Sequence, residues 1–155
     1  MQNFTEYFDW LMSGLGMRAS ALVAGCDECD GPEAWPESRA VVYAYLVIAI
    51  YALAREVGVV PVITSGYRCG TCNERRDGAT RSRHLAETSG GKPYGAVDIQ
   101  WEAGKIDVLI ENLDQIPDLI RQATGLTVGV GVIAYPGRRR LHLDLRENDY
   151  VNDKT

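Results

Sequence analysis

This 155-residue sequence has no long hydrophobic run and no excess of positive charge. Its longest apolar stretch, VVYAYLVIAIYALA at residues 41–54, is too short to span a bilayer and predicts a buried core helix. A formal net charge of -5 argues against a general nucleic-acid binder, which is usually basic. The first residues, MQNFTEYFDWLM, lack the lysine or arginine of a signal peptide, so we expect no secretion signal.

The composition that is present is typical of a single globular domain. Hydrophobic residues make up 46% of the chain and charged residues 24%, and no internal repeat or low-complexity tract occurs. Residues 1–37 carry seven acidic residues and one arginine, whereas arginines concentrate at 68–83 and 138–146. A local basic surface on an acidic protein suits a small anionic group on a substrate, although a solvated charged face explains any single arginine equally well.

The order of predicted elements is typical of an α+β fold, in which helices flank a small antiparallel sheet. Residues 1–37 form a predicted helical extension with a cysteine-containing loop, and residues 38–150 form the main domain, the two making one compact unit. The first predicted elements are short helices within 3–23, a helix at 38–57 that ends at Gly58, and a strand at 59–64. An irregular loop at 65–95 leads to a strand at 96–101 and to a helix at 105–124 that is interrupted at Pro117. Strands at 126–135 and 139–146, joined by PGR, complete the domain.

The chain contains only two histidines, His84 and His142. With Asp98 they offer two imidazoles and a carboxylate, a ligand set found in catalytic zinc sites. Strand alternation places Asp98 on one face with Ala96 and Gln100, and it places His142 and Asp144 together, with the intervening leucines facing the core. No HExxH motif is present, and a histidine between two leucines is also explained by hydrogen bonding at a sheet surface. The spacing alone leaves both interpretations open.

An ordered set of short motifs runs along the chain: SGYR at residues 65–68, Asn73, Ser82 with His84, Ala96 with Asp98, Gly129 and Gly131, and His142 with Asp144. This set covers about residues 40–146. It resembles peptidase family M15, the D-Ala-D-Ala carboxypeptidases and peptidoglycan endopeptidases of the hedgehog/DD-peptidase fold.

The resemblance implies that His84, Asp98 and His142 are the ligands of a catalytic zinc ion. It also implies that Arg68 binds a substrate carboxylate or the developing oxyanion. A planar, always charged guanidinium is suited to this role. Ser82 is either a residue that orients the site or a turn residue.

The general base is less well defined, because arginines occupy positions 138–140, where many family members place an acid. We therefore predict that Asp144, two residues after His142 and on the same strand face, is the general base, with orientation of an imidazole as the equal alternative. Glu87 is a remote candidate. It lies in a segment, ETSGGKPY, that lengthens the usual His-to-Asp spacing and could form a lid over the pocket or a longer surface loop.

All four cysteines fall into two C-x-x-C pairs, Cys26 with Cys29 and Cys69 with Cys72. This spacing is typical of a structural tetrathiolate zinc site, and disulfides or a redox dithiol are the alternatives. We favour a second, structural zinc ion, because such pairs more often chelate metal when no secretion signal is present. The site would tie the acidic N-terminal segment to the loop after Arg68.

The resemblance implies a zinc-dependent peptidase that hydrolyses peptide bonds in bacterial peptidoglycan stems, and the composition predicts no nucleic-acid or membrane partner. A protein made in the cytoplasm that acts at the cell wall after release, or as part of a virion, would be a phage endolysin or virion-associated lytic enzyme. The alternative is a non-catalytic, metal-stabilised binding or virion structural protein with the same fold.

Overall fold

The computed structural model describes residues 3–25, 28–76, 78, 82–85, 88–89 and 92–155. The described part of the chain contains five α-helices: α1 (Thr5–Leu11), α2 (Glu37–Val57), α3 (Gly70–Arg75), α4 (Asp107–Glu111) and α5 (Ile116–Thr124). It also contains seven strands: β1 (Val62–Ser65), β2 (Thr88–Ser89), β3 (Lys92–Pro93), β4 (Ala96–Gln100), β5 (Gly129–Tyr135), β6 (Arg140–Arg146) and β7 (Tyr150–Asp153).

Five strands form one mostly antiparallel sheet in the order β1-β4-β6-β5-β7. Every neighbouring pair is antiparallel except β5 and β7, which run parallel. The α+β fold class predicted from the sequence is therefore confirmed. The sequence did not predict β7, because YVND lacks the alternating apolar pattern of a half-buried strand and its place is set by the edge of β5.

Helix α2 is the central core helix. Pro36 precedes it, and Gly58 ends it in the left-handed region at φ 80°, where its N–H bonds to the carbonyl of Ala54. By length and mean hydropathy of 1.7, α2 could cross a membrane, but half of that window is buried inside the protein. It packs on α5, β4 and β6, as a core helix of this apolar composition does.

The N-terminal segment is part of the same core. Phe8, Met12, Leu15 and Leu22 are buried and belong to the cluster that also contains the buried residues of α2 and the sheet. The carbonyl of Leu22 accepts a hydrogen bond from the backbone N–H of Tyr67 at 2.7 Å. Residues 3–25 therefore pack directly against the segment that carries the SGYR motif.

Several predicted boundaries differ from the structure, and three of the differences have a clear local description. The strand predicted at 59–64 begins at Val62, because Pro61 has no N–H for the ladder. The helix predicted at 105–124 is two helices, and Pro117 lies in the first turn of α5, where a missing N–H is tolerated. Within the loop predicted at 65–95 the structure has α3, a 3-10 turn at Arg83–Leu85, and the antiparallel pair of β2 and β3.

Candidate metal centre

The polar face of β4 and β6 brings the predicted strand ligands together. Asp98 pairs with His142 across the antiparallel ladder, and Ala96 pairs with Asp144. Residues directly opposite on neighbouring strands project to the same face of a sheet, so the carboxylate and the imidazole meet. The alternate residues of β6 face the core as predicted, since Leu141, Leu143 and Leu145 are all buried.

His84 reaches this face from the 3-10 turn at Arg83–Leu85, and its side chain is buried. Its Nδ1 lies 2.8 Å from the carbonyl oxygen of Gly66. A carbonyl only accepts hydrogen bonds, so Nδ1 carries the proton and Nε2 presents a lone pair in the neutral ring. That Nε2 lies 3.3 Å from Oδ2 of Asp98. Two acceptors this close require a cation or a proton between them.

His142 completes the cluster from β6. Its Nδ1 lies 2.8 Å from Oδ1 of Asp98, and the ring centroids of His84 and His142 are 5.2 Å apart. One ligand atom from each of His84, Asp98 and His142 lies within 4.8 Å of the other two. The structure thus brings together three residues that are distant in sequence, and their donor atoms fit a zinc ion.

Asp144 lies behind His142 and is completely buried. Its Oδ2 is 2.8 Å from Nε2 of His142, and Arg146 donates to both carboxylate oxygens, from Nε at 2.7 Å and from Nη2 at 2.5 Å. Burial alone would raise the pKa of Asp144, but the hydrogen bonds from Arg146 and His142 outweigh it and lower that pKa to about 2. This arrangement fits the orienting role considered for Asp144, because both of its oxygens are already engaged.

Gly131 gives Asp144 and Arg146 the room for this arrangement. It pairs with Asp144 across β5 and β6. A Cβ at this position would overlap Oδ1 of Asp144 and the guanidinium of Arg146. The glycine of this strand is therefore required by the side chains that orient His142.

The electrostatics of the cluster favour a positive charge at its centre. Burial disfavours a protonated His142, but hydrogen bonds to Asp144 and Asp98 overcome this effect and raise the pKa of His142 to about 9. Burial likewise opposes ionisation of Asp98, yet the neighbouring imidazoles of His142 and His84 hold the pKa of Asp98 below its usual range. Two buried carboxylates around one imidazole suit a cation, whether a proton or a divalent metal.

Arg68 lies beside the metal-binding cluster. Its Nε and Nη2 donate to Oγ of Ser65 at 3.2 and 3.0 Å, and Nη2 is 3.9 Å from Oδ2 of Asp98. The backbone N–H of Arg68 also donates to the carbonyl of His84 at 2.8 Å. The SGYR segment therefore positions a guanidinium and supports a metal-ligand residue at the same time.

Ser82 has the position of a turn residue. Its Oγ accepts a hydrogen bond from the backbone N–H of His84 at 3.3 Å, and its carbonyl accepts one from Leu85 at 3.1 Å. Both contacts stabilise the 3-10 turn that carries His84. They match the local role that the sequence allowed for Ser82 and place its hydroxyl against the backbone.

Two supporting groups were not recognised in the sequence. The carbonyl of Gly66 fixes the tautomer of His84, and backbone carbonyls leave no signal in a side-chain pattern. Arg146, in contrast, could have been found by strand alternation, since residues 142, 144 and 146 share one face of β6.

The cysteine cluster is described for three of its four predicted members. The sulfurs of Cys29, Cys69 and Cys72 lie within 4.8 Å of one another. Cys26 and the remote base candidate Glu87 lie outside the described residues. Cys72 is disulfide-bonded in the structure. Two of the states predicted from the sequence therefore apply to these cysteines, a metal bound by thiolates and a disulfide.

Replacing Gly66 with alanine should destabilise the protein, because the new Cβ would overlap the backbone carbonyl of Leu22. Overpacking against backbone costs about 1–3 kcal/mol, so a lower unfolding midpoint is expected in thermal or denaturant unfolding. Shifting Gly66 also moves its carbonyl away from Nδ1 of His84, so zinc affinity should fall.

Gly70→Ala is the matched control, because a Cβ at Gly70 meets nothing within 4 Å and alanine favours the helix. Equal stability and equal zinc affinity of Gly66→Ala and Gly70→Ala would show that the close approach to Leu22 is unimportant.

Comparison with known proteins agrees with this geometry. Residues 10–131 match a family model described as Peptidase M15, a range that includes the SGYR segment, His84 and Asp98. No curated protein and no solved structure matches the chain. Members of the matched family are zinc-dependent peptidases, and the cluster of His84, Asp98 and His142 has the donor set that such an enzyme requires. The chain therefore belongs to peptidase family M15.

Proposed function

We propose that this protein hydrolyses peptide bonds in the stem peptides of bacterial peptidoglycan, using a zinc ion held by His84, Asp98 and His142. The observation that carries the proposal is the convergence of these three side chains in a chain of the M15 family. A zinc ion bound there would supply Lewis acidity that polarises the scissile carbonyl and lowers the pKa of water.

The residues around the ligands fix which ring nitrogens face the ion. Gly66 holds the proton of His84 on Nδ1, which leaves Nε2 for the metal. Asp144 accepts a hydrogen bond from Nε2 of His142, which leaves Nδ1 for the metal on the side of Asp98. Such partners raise ligand basicity and hold ring orientation.

Arg68 is the residue we assign to a negatively charged group of the substrate. Its guanidinium lies next to the cluster and is held in place by Ser65. A planar guanidinium binds a carboxylate through two parallel hydrogen bonds. A stem peptide supplies such carboxylates, which is why a peptide with a free carboxylate near the scissile bond fits the site.

A basic cavity on the same face supports an acidic substrate. It has a volume of about 300 Å³ and lies where β4 and β6 continue past Asp98 and His142. All of its lining residues except one glycine have polar or basic side chains: Thr64, Gln100, Gly137 and Arg138–Arg140. Clustered arginines raise the local concentration of anions, so this cavity favours a substrate with more than one carboxylate.

Asp144 is assigned to orienting His142 rather than to proton transfer. Its side chain has no exposed surface, and Arg146 and His142 engage both of its oxygens. A general base must reach the water whose proton it accepts, within about 3.2 Å or through one further water. The buried position of Asp144 does not meet that need.

Hydrolysis of purified peptidoglycan tests the proposal. We expect the zinc-loaded protein to release new amino groups from peptidoglycan, and we expect a chelator to stop the release. Restoring zinc should restore it. Release of no amino groups by protein with zinc bound at the cluster would overturn the proposed activity.

The setting that we propose is a phage endolysin or a virion-associated lytic enzyme, because the proposed substrate lies outside the cytoplasm. Addition of the protein to permeabilised bacterial cells should then cause lysis.

A non-catalytic binding or virion structural protein is the second candidate. One argument for it is that arginines occupy positions 138–140, where many family members place an acid. A second is that both carboxylate oxygens of Asp144 accept hydrogen bonds from Arg146. Among the described residues, these positions therefore leave no carboxylate free to act as the general base. Under this alternative the protein binds zinc and peptidoglycan but cleaves no stem peptide. Comparing sedimentation with peptidoglycan and amino-group release distinguishes the two functions.

A further inference from the structure

A second cluster of metal-binding side chains lies where the N-terminal segment meets the loop after Arg68. Cys29 belongs to the N-terminal segment, whereas Cys69 and Cys72 lie at the start of α3. Their sulfurs approach within 4.8 Å of one another although Cys29 and Cys69 are 40 residues apart. Three sulfurs at one point are more than a single disulfide uses.

Backbone hydrogen bonds at the cluster are suited to thiolates. The N–H of Cys69 donates to Sγ of Cys29 at 2.8 Å. The backbone N–H of Cys72 is likewise a hydrogen-bond donor to the sulfur of Cys69. Donors directed at sulfur stabilise a negative charge there, and the thiolate is the form that binds metal.

The same two segments are joined by charged contacts. Arg75 of α3 forms an ion pair with Glu28, and Arg76 donates to the carbonyl of Gly25. These contacts bring the chain on either side of the first C-x-x-C motif to the second one. The cysteines therefore meet at an interface that other residues also hold together.

We propose that Cys29, Cys69 and Cys72 bind a structural zinc ion that is separate from the catalytic one. The two C-x-x-C pairs supply the spacing of a tetrathiolate site, and the sequence offers Cys26, outside the described residues, as the fourth ligand. The proposal does not depend on peptidase activity, because the ion would be held by a different set of residues.

A disulfide at Cys72 is the competing state. Forming it oxidises two thiols, and each sulfur in a disulfide is lost as a thiolate ligand, so the zinc site requires the reduced chain. The zinc state accounts for the approach of Cys29 and Cys69 to Cys72, which a single disulfide leaves unexplained.

The proposed ion would fix the backbone around Arg68. Cys69 directly follows Arg68, whose N–H bonds to the carbonyl of His84. Zinc at the cysteines would thus hold the segment that positions the guanidinium and supports a ligand of the other metal. The cysteine site acts on catalysis only by positioning these groups.

Zinc content of reduced protein tests the proposal. Wild-type protein and the control Thr71→Ser, an exposed change between the two cysteines, should each bind two zinc ions per chain. Cys29→Ser should lose one ion, with a lower unfolding temperature. His142→Ala should lose the other ion and keep the cysteine-bound one. An unchanged zinc content in Cys29→Ser would overturn the proposal.

Cobalt substitution of the wild-type protein gives a readout that does not depend on the folding of a variant. Cobalt at thiolates gives intense sulfur-to-metal charge-transfer absorption, whereas cobalt at histidine and carboxylate ligands does not. We expect that absorption in wild type and in His142→Ala. The sample is first shown by mass spectrometry to contain four free thiols after reduction. If this reduced protein lacks the charge-transfer absorption, a cysteine-bound metal is contradicted. Failure of the peptidase proposal would leave this spectrum unchanged.

Discussion

Replacing His142 with alanine should remove zinc from the cluster of His84, Asp98 and His142 and reduce peptide hydrolysis to background. The change deletes the imidazole that bridges Asp98 and Asp144 at 2.8 Å on each side. Two protein ligands would remain where a catalytic zinc site uses three. Zinc content and amino-group release from peptidoglycan measure the two effects on the same protein sample.

Asp153→Asn is the control for a polar substitution elsewhere on the sheet, because Asp153 lies at the exposed end of β7. It should keep full zinc content and full activity. Hydrolysis by His142→Ala at the wild-type rate would rule out the assigned metal centre as the source of activity.

Replacing Asp144 with asparagine should weaken zinc binding by about 10–100-fold, the usual effect of losing a carboxylate that orients a metal-binding histidine. The amide cannot accept the hydrogen bonds of Arg146 and His142 with the same charge, so the buried ion pair with Arg146 is broken. Breaking a buried ion pair lowers the free energy of unfolding by about 3–5 kcal/mol. We expect a loss of stability at the lower end of that range, because the side chain of Arg146 is partly exposed.

The zinc dependence of Asp144→Asn separates the two roles considered for this residue. If Asp144 orients His142, saturating zinc should restore much of the lost activity. If Asp144 accepts the proton, the variant should bind zinc normally and remain slow at any zinc concentration, with a changed dependence of kcat on pH. The second result would contradict the orienting role.

The sequence predicted the strand face of the site well, because alternation depends only on local geometry. Alternation placed Asp98 on the polar face of its strand and placed His142 and Asp144 together on the polar face of theirs, and the ladder of β4 and β6 brings these residues together. Helix α2 and its end at Gly58 were predicted for a similar reason, since an apolar run and a left-handed glycine are local signals.

The remaining features depend on contacts between distant segments. No local pattern predicts that the carbonyl of Gly66 meets Nδ1 of His84, or that Leu22 packs on the backbone of Gly66. Strand β7 depends on the free edge of β5 rather than on its own composition. The orienting role that we propose for Asp144 also required the structure, because it rests on the burial of this side chain and on its contact with Arg146.

Anomalous diffraction from crystals of the zinc-loaded protein, recorded on both sides of the zinc absorption edge, would locate the catalytic ion directly. We expect an anomalous peak that lies within metal-ligand bonding distance of Nε2 of His84, a carboxylate oxygen of Asp98 and Nδ1 of His142. Zinc-saturated crystals with no peak among these three side chains would contradict the assignment.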